Sequence, residues 1–313
     1  MSPKVRRAAE ILRAGGLVAF PTETVYGLGA DASNPAAVER LYRVKGRPGG
    51  HPVIVHFASA DNAFAFAREI PEEAGALAER FWPGPLTLIL KRSALARDFV
   101  TGGQDSVGLR VPSHPVANDL LSTFGSGVAA PSANRFGRIS PTTAAHVRED
   151  LGEDVDLVLE GGASDVGIES TILDLSGAGM VLLRPGRITG GQIEEILGSK
   201  LSEKNPESPR HSGGLEQHYA PRTPARLVPT HVLDQEIARL KNRVAVLAFS
   251  RPDERVDFWL RMPRDADDYA RKLYGALREL DSARCELILV EAPPETPDWA
   301  AVNDRLRRAC AKA

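Results

Sequence analysis

Up to residue 198 the chain alternates short apolar runs with amphipathic stretches of helical period, which restricts it to an α/β architecture with helices covering a sheet. Ser2 and Pro3 read as an N-cap and first helical residue, Val5, Ala8, Ile11 and Leu12 form one stripe, and Gly15-Gly16 closes the helix. The strand LVAF follows, then a glycine-containing loop. Asn34-Pro35 opens a second helix that runs through Lys45, and Pro52 precedes the apolar run VIVHF. Further strands are expected at LTLIL (86–90), VGLRV (107–111), VAAP (128–131), DLVLE (156–160), TILDL (171–175) and MVLLR (180–184), with helices near 71–81, 115–123, 142–151 and 190–197.

The alternation breaks at residue 199. The stretch through about residue 223 is rich in Pro, Ser, Gly and charge, has no apolar period, and reads as a linker. A second α/β unit is expected over 224–313, with strands ARLV, VAVLAF, FWLRM and CELILVEA and helices at 233–241, 265–281 and 298–311. The domain boundaries expected are thus 1–198, 199–223 and 224–313.

Composition excludes several classes. No run approaches the ~18 apolar residues of a membrane span, and the basic N-terminal stretch lacks the long apolar core of a signal peptide, so a cytoplasmic setting and no membrane partner are expected. The chain has 39 Lys and Arg against 41 Asp and Glu, so no global field draws it to nucleic acid, and any basic site must be local. Two cysteines, Cys285 and Cys310, build neither a disulfide framework nor a zinc site. The chain also lacks a P-loop, a GxGxxG turn, an HExxH helix and a GxSxG elbow, which argues against zinc and serine hydrolase chemistry.

The remaining polar clusters sit where strands end. Phe20-Pro21-Thr22-Glu23-Thr24-Val25-Tyr26-Gly27 packs hydroxyls and a carboxylate into a turn that either faces a cleft or is an ordinary polar loop. Lys45-Gly46-Arg47-Pro48-Gly49-Gly50-His51 places two cations beside glycines that free backbone N–H groups, as phosphate oxygens require; a helix C-cap with dipole-compensating cations has the same pattern. His56 and Arg110 each interrupt an apolar strand. Such a histidine needs a partner, and such an arginine either pairs internally or clamps an anionic substrate. Ala130-Pro131-Ser132-Ala133-Asn134 to Ser140-Pro141, Glu169-Ser170-Thr171 and Leu183-Arg184-Pro185-Gly186 add hydroxyls, an amide and another strand-terminal arginine.

In this order, FPTETVYGLGADA, KGRPGGHPVIVH, FWPGPLTLIL, SVGLRVPSHP, APSANRFGRISPT, IESTILDL and LRPGRIT resemble the YrdC-like domain of threonylcarbamoyl-AMP synthases, over roughly residues 5–198. HYAPRTPA, LYGALRELD and NDRLRRA resemble the C-terminal domain of the longer, two-domain branch. The resemblance implies a twisted mixed sheet flanked by helices, then a smaller Rossmann-like α/β domain. It also implies a nucleotidyltransferase that converts L-threonine, bicarbonate and ATP to L-threonylcarbamoyl-adenylate and pyrophosphate, for downstream enzymes that complete t6A modification of tRNA.

By the same resemblance Thr24, His56, Arg110 and Ser170 hold threonine, with Arg110 on its carboxylate. Lys45, Arg47, His51, Ser106, Ser132, Asn134, Ser140, Arg184 and Tyr219 serve ATP. From the residues themselves, with Gly213-Gly214 as a pivot and two rings in His218-Tyr219-Ala220-Pro221, the linker 199–223 is expected to act as a lid. Mg²⁺ arrives with ATP, and no protein residue is assigned as its ligand. No catalytic nucleophile is expected, because the carbamate formed on threonine's amine itself attacks the α-phosphorus. The linker departs from the family, which has a Pro-Gly-Met-type stretch where this chain reads Ser212-Gly213-Gly214-Leu215-Glu216-Gln217.

Two rivals share parts of this pattern. An RNA-binding or regulatory module of the YrdC-like type would need a local basic, aromatic surface. A carbamoyl-transfer protein of hydrogenase maturation would need acylphosphatase and zinc-finger segments, and no Cys-rich region is present.

Overall fold

Helix boundaries follow the caps. In the computed structural model, which describes residues 2–204, 206–240 and 243–311, Ser2 caps α1 (Pro3–Arg13) and the Asn34 side chain accepts from the amides of Ala36 and Ala37 to start α2 (Pro35–Lys45). Gly46 ends α2 at φ 64°, a left-handed conformation that glycine adopts without strain, so the sequence there is a C-cap as well as a basic cluster. The other helices of this part are α3 (Ala60–Phe64), α4 (Glu72–Phe81), α5 (Asp98–Thr101), α6 (Pro115–Phe124), α7 (Ala144–Leu151) and α8 (Gly190–Leu197).

Contacts divide the chain into two units. The first comprises Met1–Phe136, Pro141–Asp165 and Glu169–Gly214; the second comprises Leu215–Ala313 with the short segments Gly137–Ser140 and Val166–Ile168.

The first unit is built on a nine-stranded mixed sheet. Its strands are β1 (Val18–Phe20), β2 (Gly27–Asp31), β3 (Val55–His56), β4 (Leu86–Lys91), β5 (Ser106–Arg110), β6 (Val128–Ala129), β7 (Leu157–Val158), β8 (Thr171–Asp174) and β9 (Val181–Arg184). They lie in the order β7-β1-β2-β6-β3-β5-β4-β8-β9. The expected glycine-containing loop after LVAF is only partly loop, because Gly27–Asp31 pairs antiparallel with β1 and β6. Gly29 makes this possible: a Cβ there would lie 2.9 Å from both the Phe20 ring and Val128, so only glycine lets the two strands sit against that ring. The run VIVHF, in contrast, supplies just two ladder residues. His56 pairs parallel with Arg110 and antiparallel with Val128.

This register positions the site. The two polar residues that interrupt apolar strands, His56 and Arg110, are cross-strand neighbours at the carboxyl end of β3 and β5, where loops from other strands converge. Buried Leu17, Leu28, Leu41, Leu77, Leu88 and Leu109 belong to the main core of the unit, which holds these strand ends in place.

The second unit carries a four-stranded parallel sheet in the order β10-β13-β11-β12, from β10 (Ala225–Val228), β11 (Val244–Ala248), β12 (Phe258–Arg261) and β13 (Leu287–Glu291). Its helices are α9 (Leu233–Arg239), α10 (Ala266–Ser282) and α11 (Ala300–Ala309). The expected helix at 233–241 is seen through Arg239, and its last position, Lys241, lies outside the described residues. Parallel strands, with α9 between β10 and β11 and α10 between β12 and β13, fit the Rossmann-like expectation.

Candidate active site

The turn between β1 and β2 is held by its own hydroxyls. Thr22 Oγ1 donates to the Val25 carbonyl at 2.6 Å and lies 2.8 Å from Thr24 Oγ1, while the amides of Thr24 and Val25 donate back to it. This small network fixes Glu23, which points across the sheet. Its Oε1 accepts from Arg110 Nη2 at 2.7 Å and its Oε2 from the Ser113 amide at 3.1 Å. Both side chains of the pair are buried, at 5% and 7% exposure. Arg110 Nε also donates to the Gly84 carbonyl at 3.3 Å, while Nη1 has no hydrogen-bond partner among the described residues. Arg110 therefore pairs internally and still presents one edge.

His56 sits beside it, edge-on to Phe20 with the ring centroids 6.3 Å apart. Burial, and then the neighbouring Arg110 charge, push its pKa well below the usual imidazole value, so the ring is neutral. Its buried Nδ1 has no hydrogen-bond partner among the described residues.

A second cluster gathers round the end of α2. Lys45 is buried and its Nζ donates to the carbonyls of Ser132 and Asn134; burial and the Arg47 charge hold its pKa well below that of a free lysine. The ammonium thus ties the Ser132–Asn134 turn to the helix instead of projecting into open space. Arg47 donates to the Pro52 carbonyl at 2.7 Å, with its guanidinium 5.7 Å from the centroid of the Phe136 ring. His51 packs against the same ring, and burial followed by Arg47 lowers its pKa as well.

Ser170 joins the residues expected to hold threonine to those expected to hold ATP. Its Oγ lies 2.8 Å from Thr87 Oγ1 and accepts from Arg184 Nη2 at 3.1 Å, and its carbonyl accepts from Arg184 Nε at 2.9 Å. A cleft lined by Pro52, Ile54, Thr87, Ser106, Gly108 and Ser212 runs alongside. Residues 210–212 occupy one side of it. Ser212 accepts from Arg184 Nη1 through its carbonyl and from Arg47 Nη2 through its hydroxyl, while Arg210 donates to the carbonyls of Gly50 and Gly102.

Thus Thr24, His56, Arg110, Ser170, Lys45, Arg47, His51, Ser106, Ser132, Asn134 and Arg184 all belong to the first unit. Ser140 and Tyr219 belong to the second. Tyr219, at φ 61°, is buried there, stacked on Tyr274 with Arg305 over its ring at 5.3 Å. Among the described residues no group of three or more His, Cys, Asp or Glu could hold a metal ion. Sequence reasoning left Glu23, Thr87 and Ser212 without a role. Glu23 alone carried a signal, as a carboxylate set between two threonines at a strand end.

Comparison with known proteins accounts for nearly all of the chain. The Sua5/YciO/YrdC family model, described as "Telomere recombination", matches residues 10–186, and the model described as "Threonylcarbamoyl-AMP synthase, C-terminal domain" matches residues 188–311.

The chain belongs to the two-domain threonylcarbamoyl-AMP synthase family.

Its relatives in that family include the Pyrococcus abyssi threonylcarbamoyl-AMP synthase, 40% identical over 320 residues that cover 98% of this chain and 94% of the relative. The Bacillus subtilis threonylcarbamoyl-AMP synthase is 41% identical over 323 residues, covering 98% and 93%. The crystal structure of P. abyssi Sua5 complexed with L-threonine superposes with a TM-score of 0.92 at 38% identity, covering 98% of this chain and 94% of that one. The match to the synthase C-terminal domain favours the synthase over a carbamoyl-transfer or RNA-binding protein that shares only the YrdC-like part.

Proposed function

We propose that this chain forms L-threonylcarbamoyl-adenylate and pyrophosphate from L-threonine, bicarbonate and ATP, and that its product goes to transfer enzymes acting on tRNA in the cytoplasm. The observation that carries this reading is full-length similarity to a synthase solved with L-threonine, together with a buried arginine edge and a cluster of hydroxyls and guanidinium groups in the first unit.

The chemistry fits these groups. Threonine has a carboxylate to be held and an amine to react. Arg110 offers its open edge to the carboxylate, its ladder neighbour His56 is neutral and so adds no second cation there, and Thr24 is the hydroxyl we assign to the same substrate. Once the neutral amine has bonded to the bicarbonate carbon, with a C–O bond broken and water released, the resulting carbamate oxygen is the nucleophile and displaces pyrophosphate from the α-phosphorus. The protein then has to align it with the α-phosphorus and stabilise the charge that builds on phosphate and on departing pyrophosphate. Arg47, Arg184, Ser106, Ser132 and Ser140 are the groups we assign to that task, with His51, Lys45, Asn134 and Tyr219 as the remaining nucleotide-side residues. No protein nucleophile is required. Consistent with this, burial raises the Cys285 thiol and pushes Cys310 up to about 12, leaving neither as an activated thiolate.

Mg²⁺ enters this scheme as the counter-ion of ATP. The donors round Arg47 and Arg184 are cations and hydroxyls, which suit phosphate oxygens, so phosphate and water would complete the metal's coordination and lower the charge that the arginines must hold. Among the described residues no helix is long and apolar enough to cross a membrane.

The test is pyrophosphate release with threonine, bicarbonate and ATP omitted in turn. Release is expected only when all three are present, and full release without threonine would overturn the proposal.

A further inference from the structure

We propose that Glu23 is the positioning residue for Arg110, fixing the guanidinium so that its free edge is set for the carboxylate of an α-amino acid. This inference rests on the proposed reaction and names a residue which that reading leaves unused.

Three observations lead to it. First, Glu23 is held at both oxygens: Oε1 by Arg110 Nη2 at 2.7 Å and Oε2 by the Ser113 amide at 3.1 Å. A carboxylate anchored at both ends cannot rotate without losing a bond, so the Arg110 plane it grips cannot rotate either. Second, the opposite flank of the guanidinium is fixed by Nε donating to the Gly84 carbonyl. Third, the donors left over lie on one edge. Nη1 has no hydrogen-bond partner among the described residues, although the Arg110 side chain is only 5% exposed.

The N–H groups of a largely buried side chain are normally satisfied, and an arginine serving only the fold would have spent them on carbonyls nearby. Here the fold satisfies two flanks and leaves the third for something that is not protein. The neighbouring ring nitrogen, His56 Nδ1, is buried and unpartnered, so unspent hydrogen-bonding capacity is concentrated at this point of the β3–β5 ladder.

Charge and geometry make opposite predictions, which renders the inference testable. Through space, the Glu23 charge opposes an incoming carboxylate, so if it were merely a counter-charge, neutralising it would tighten threonine binding. If it positions Arg110, neutralising it frees the guanidinium to turn and threonine binds more weakly despite the lost repulsion.

The experiment compares wild type, Glu23→Gln, Arg110→Lys and the double variant by threonine-dependent pyrophosphate release, with melting temperature recorded for each. Glu23→Gln is expected to raise KM for threonine by about tenfold or more, the effect of losing part of a charge-assisted contact, with KM for ATP little changed. In the Arg110→Lys background the same change should add little, because Glu23 acts through that guanidinium. Should Glu23→Gln not fold, Glu23→Asp serves: it keeps the charge but is one methylene too short to reach both Arg110 and Ser113, and it should raise KM for threonine in the same way. An unchanged or lower KM for threonine in a folded Glu23 variant, or fully additive effects in the double variant, would overturn the inference. Absence of threonine-dependent release in the wild type would instead defeat the proposed reaction.

Discussion

Arg184 donates from Nη1 to the carbonyl oxygen of Ser212 at 3.0 Å, so a guanidinium assigned to nucleotide is engaged by a later segment of its own chain. Arg47 meets the hydroxyl of the same serine at 3.4 Å, and Ser212 Oγ in turn donates to the Pro52 carbonyl at 3.2 Å. One small residue thus occupies hydrogen-bonding positions on both arginines. The segment is pinned further by Gln104, which accepts from the Arg210 amide at 2.7 Å and donates to the Arg210 carbonyl at 3.0 Å. In the proposed site, nucleotide phosphates would compete with Ser212 for the donors of Arg47 and Arg184.

The first prediction follows from that competition. A non-hydrolysable ATP analogue should release the Arg210 amide from Gln104 and speed its hydrogen exchange, read by mass spectrometry over residues 208–214. Unchanged protection at saturating analogue would show that nucleotide and segment occupy separate places.

Replacing Arg110 by Lys keeps the charge but loses the planar fork and the simultaneous contacts to Glu23 and Gly84. Threonine binding should weaken by about 1–3 kcal/mol while ATP binding changes much less. Calorimetry giving an unchanged threonine affinity in the folded variant would refute the role.

His56 should make stability depend on pH. Its folded pKa lies well below that of an unfolded imidazole, near 6.5, because burial and Arg110 disfavour the cation. Between those two values the unfolded chain binds a proton that the folded chain does not. The contribution is therefore whole above about pH 6.5 and declines as pH falls toward the folded value, by at most ~1.4 kcal/mol per pH unit. His51 shifts in the same direction and adds to the slope. Denaturant titrations between pH 5 and 7 should show a shallower loss for His56→Gln than for wild type. Equal slopes would contradict a buried neutral imidazole.

Gly186 should not tolerate a side chain. A Cβ there would lie 2.9 Å from the Ser170 carbonyl carbon and closer still to the Thr171 amide nitrogen, so the backbone that carries Ser170 must shift. Gly186→Ala should cost about 1–3 kcal/mol by overpacking and should impair catalysis beyond what its melting temperature explains. Wild-type stability and turnover would show that this turn is loose.

Much of this was legible in the sequence because it is local. The caps at Ser2, Asn34 and Gly46 and the apolar runs at 86–90 and 171–175 are written in neighbouring residues, and the structure follows them. The strand at Gly27–Asp31 was hidden because its glycine is explained only by Phe20 and Val128, residues that pairing brings from elsewhere. The site shows the same division. Arg110 and His56 stood out as polar residues in apolar strands, yet their adjacency depends on a ladder register no local pattern encodes. Glu23 lies 87 positions from its partner, and Ser212 lies 165 from Arg47, so neither contact has a sequence signature.

The account stands or falls most directly on the identity of the product. The full chain, incubated with L-threonine, ATP, Mg²⁺ and carbon-13 bicarbonate and quenched at once, should yield by mass spectrometry an adenylate containing threonine and one labelled carbon, together with pyrophosphate. Replacing labelled by unlabelled bicarbonate should remove the label and nothing else. An adenylate of threonine without the labelled carbon, or AMP and pyrophosphate formed at the same rate with no threonine present, would contradict it.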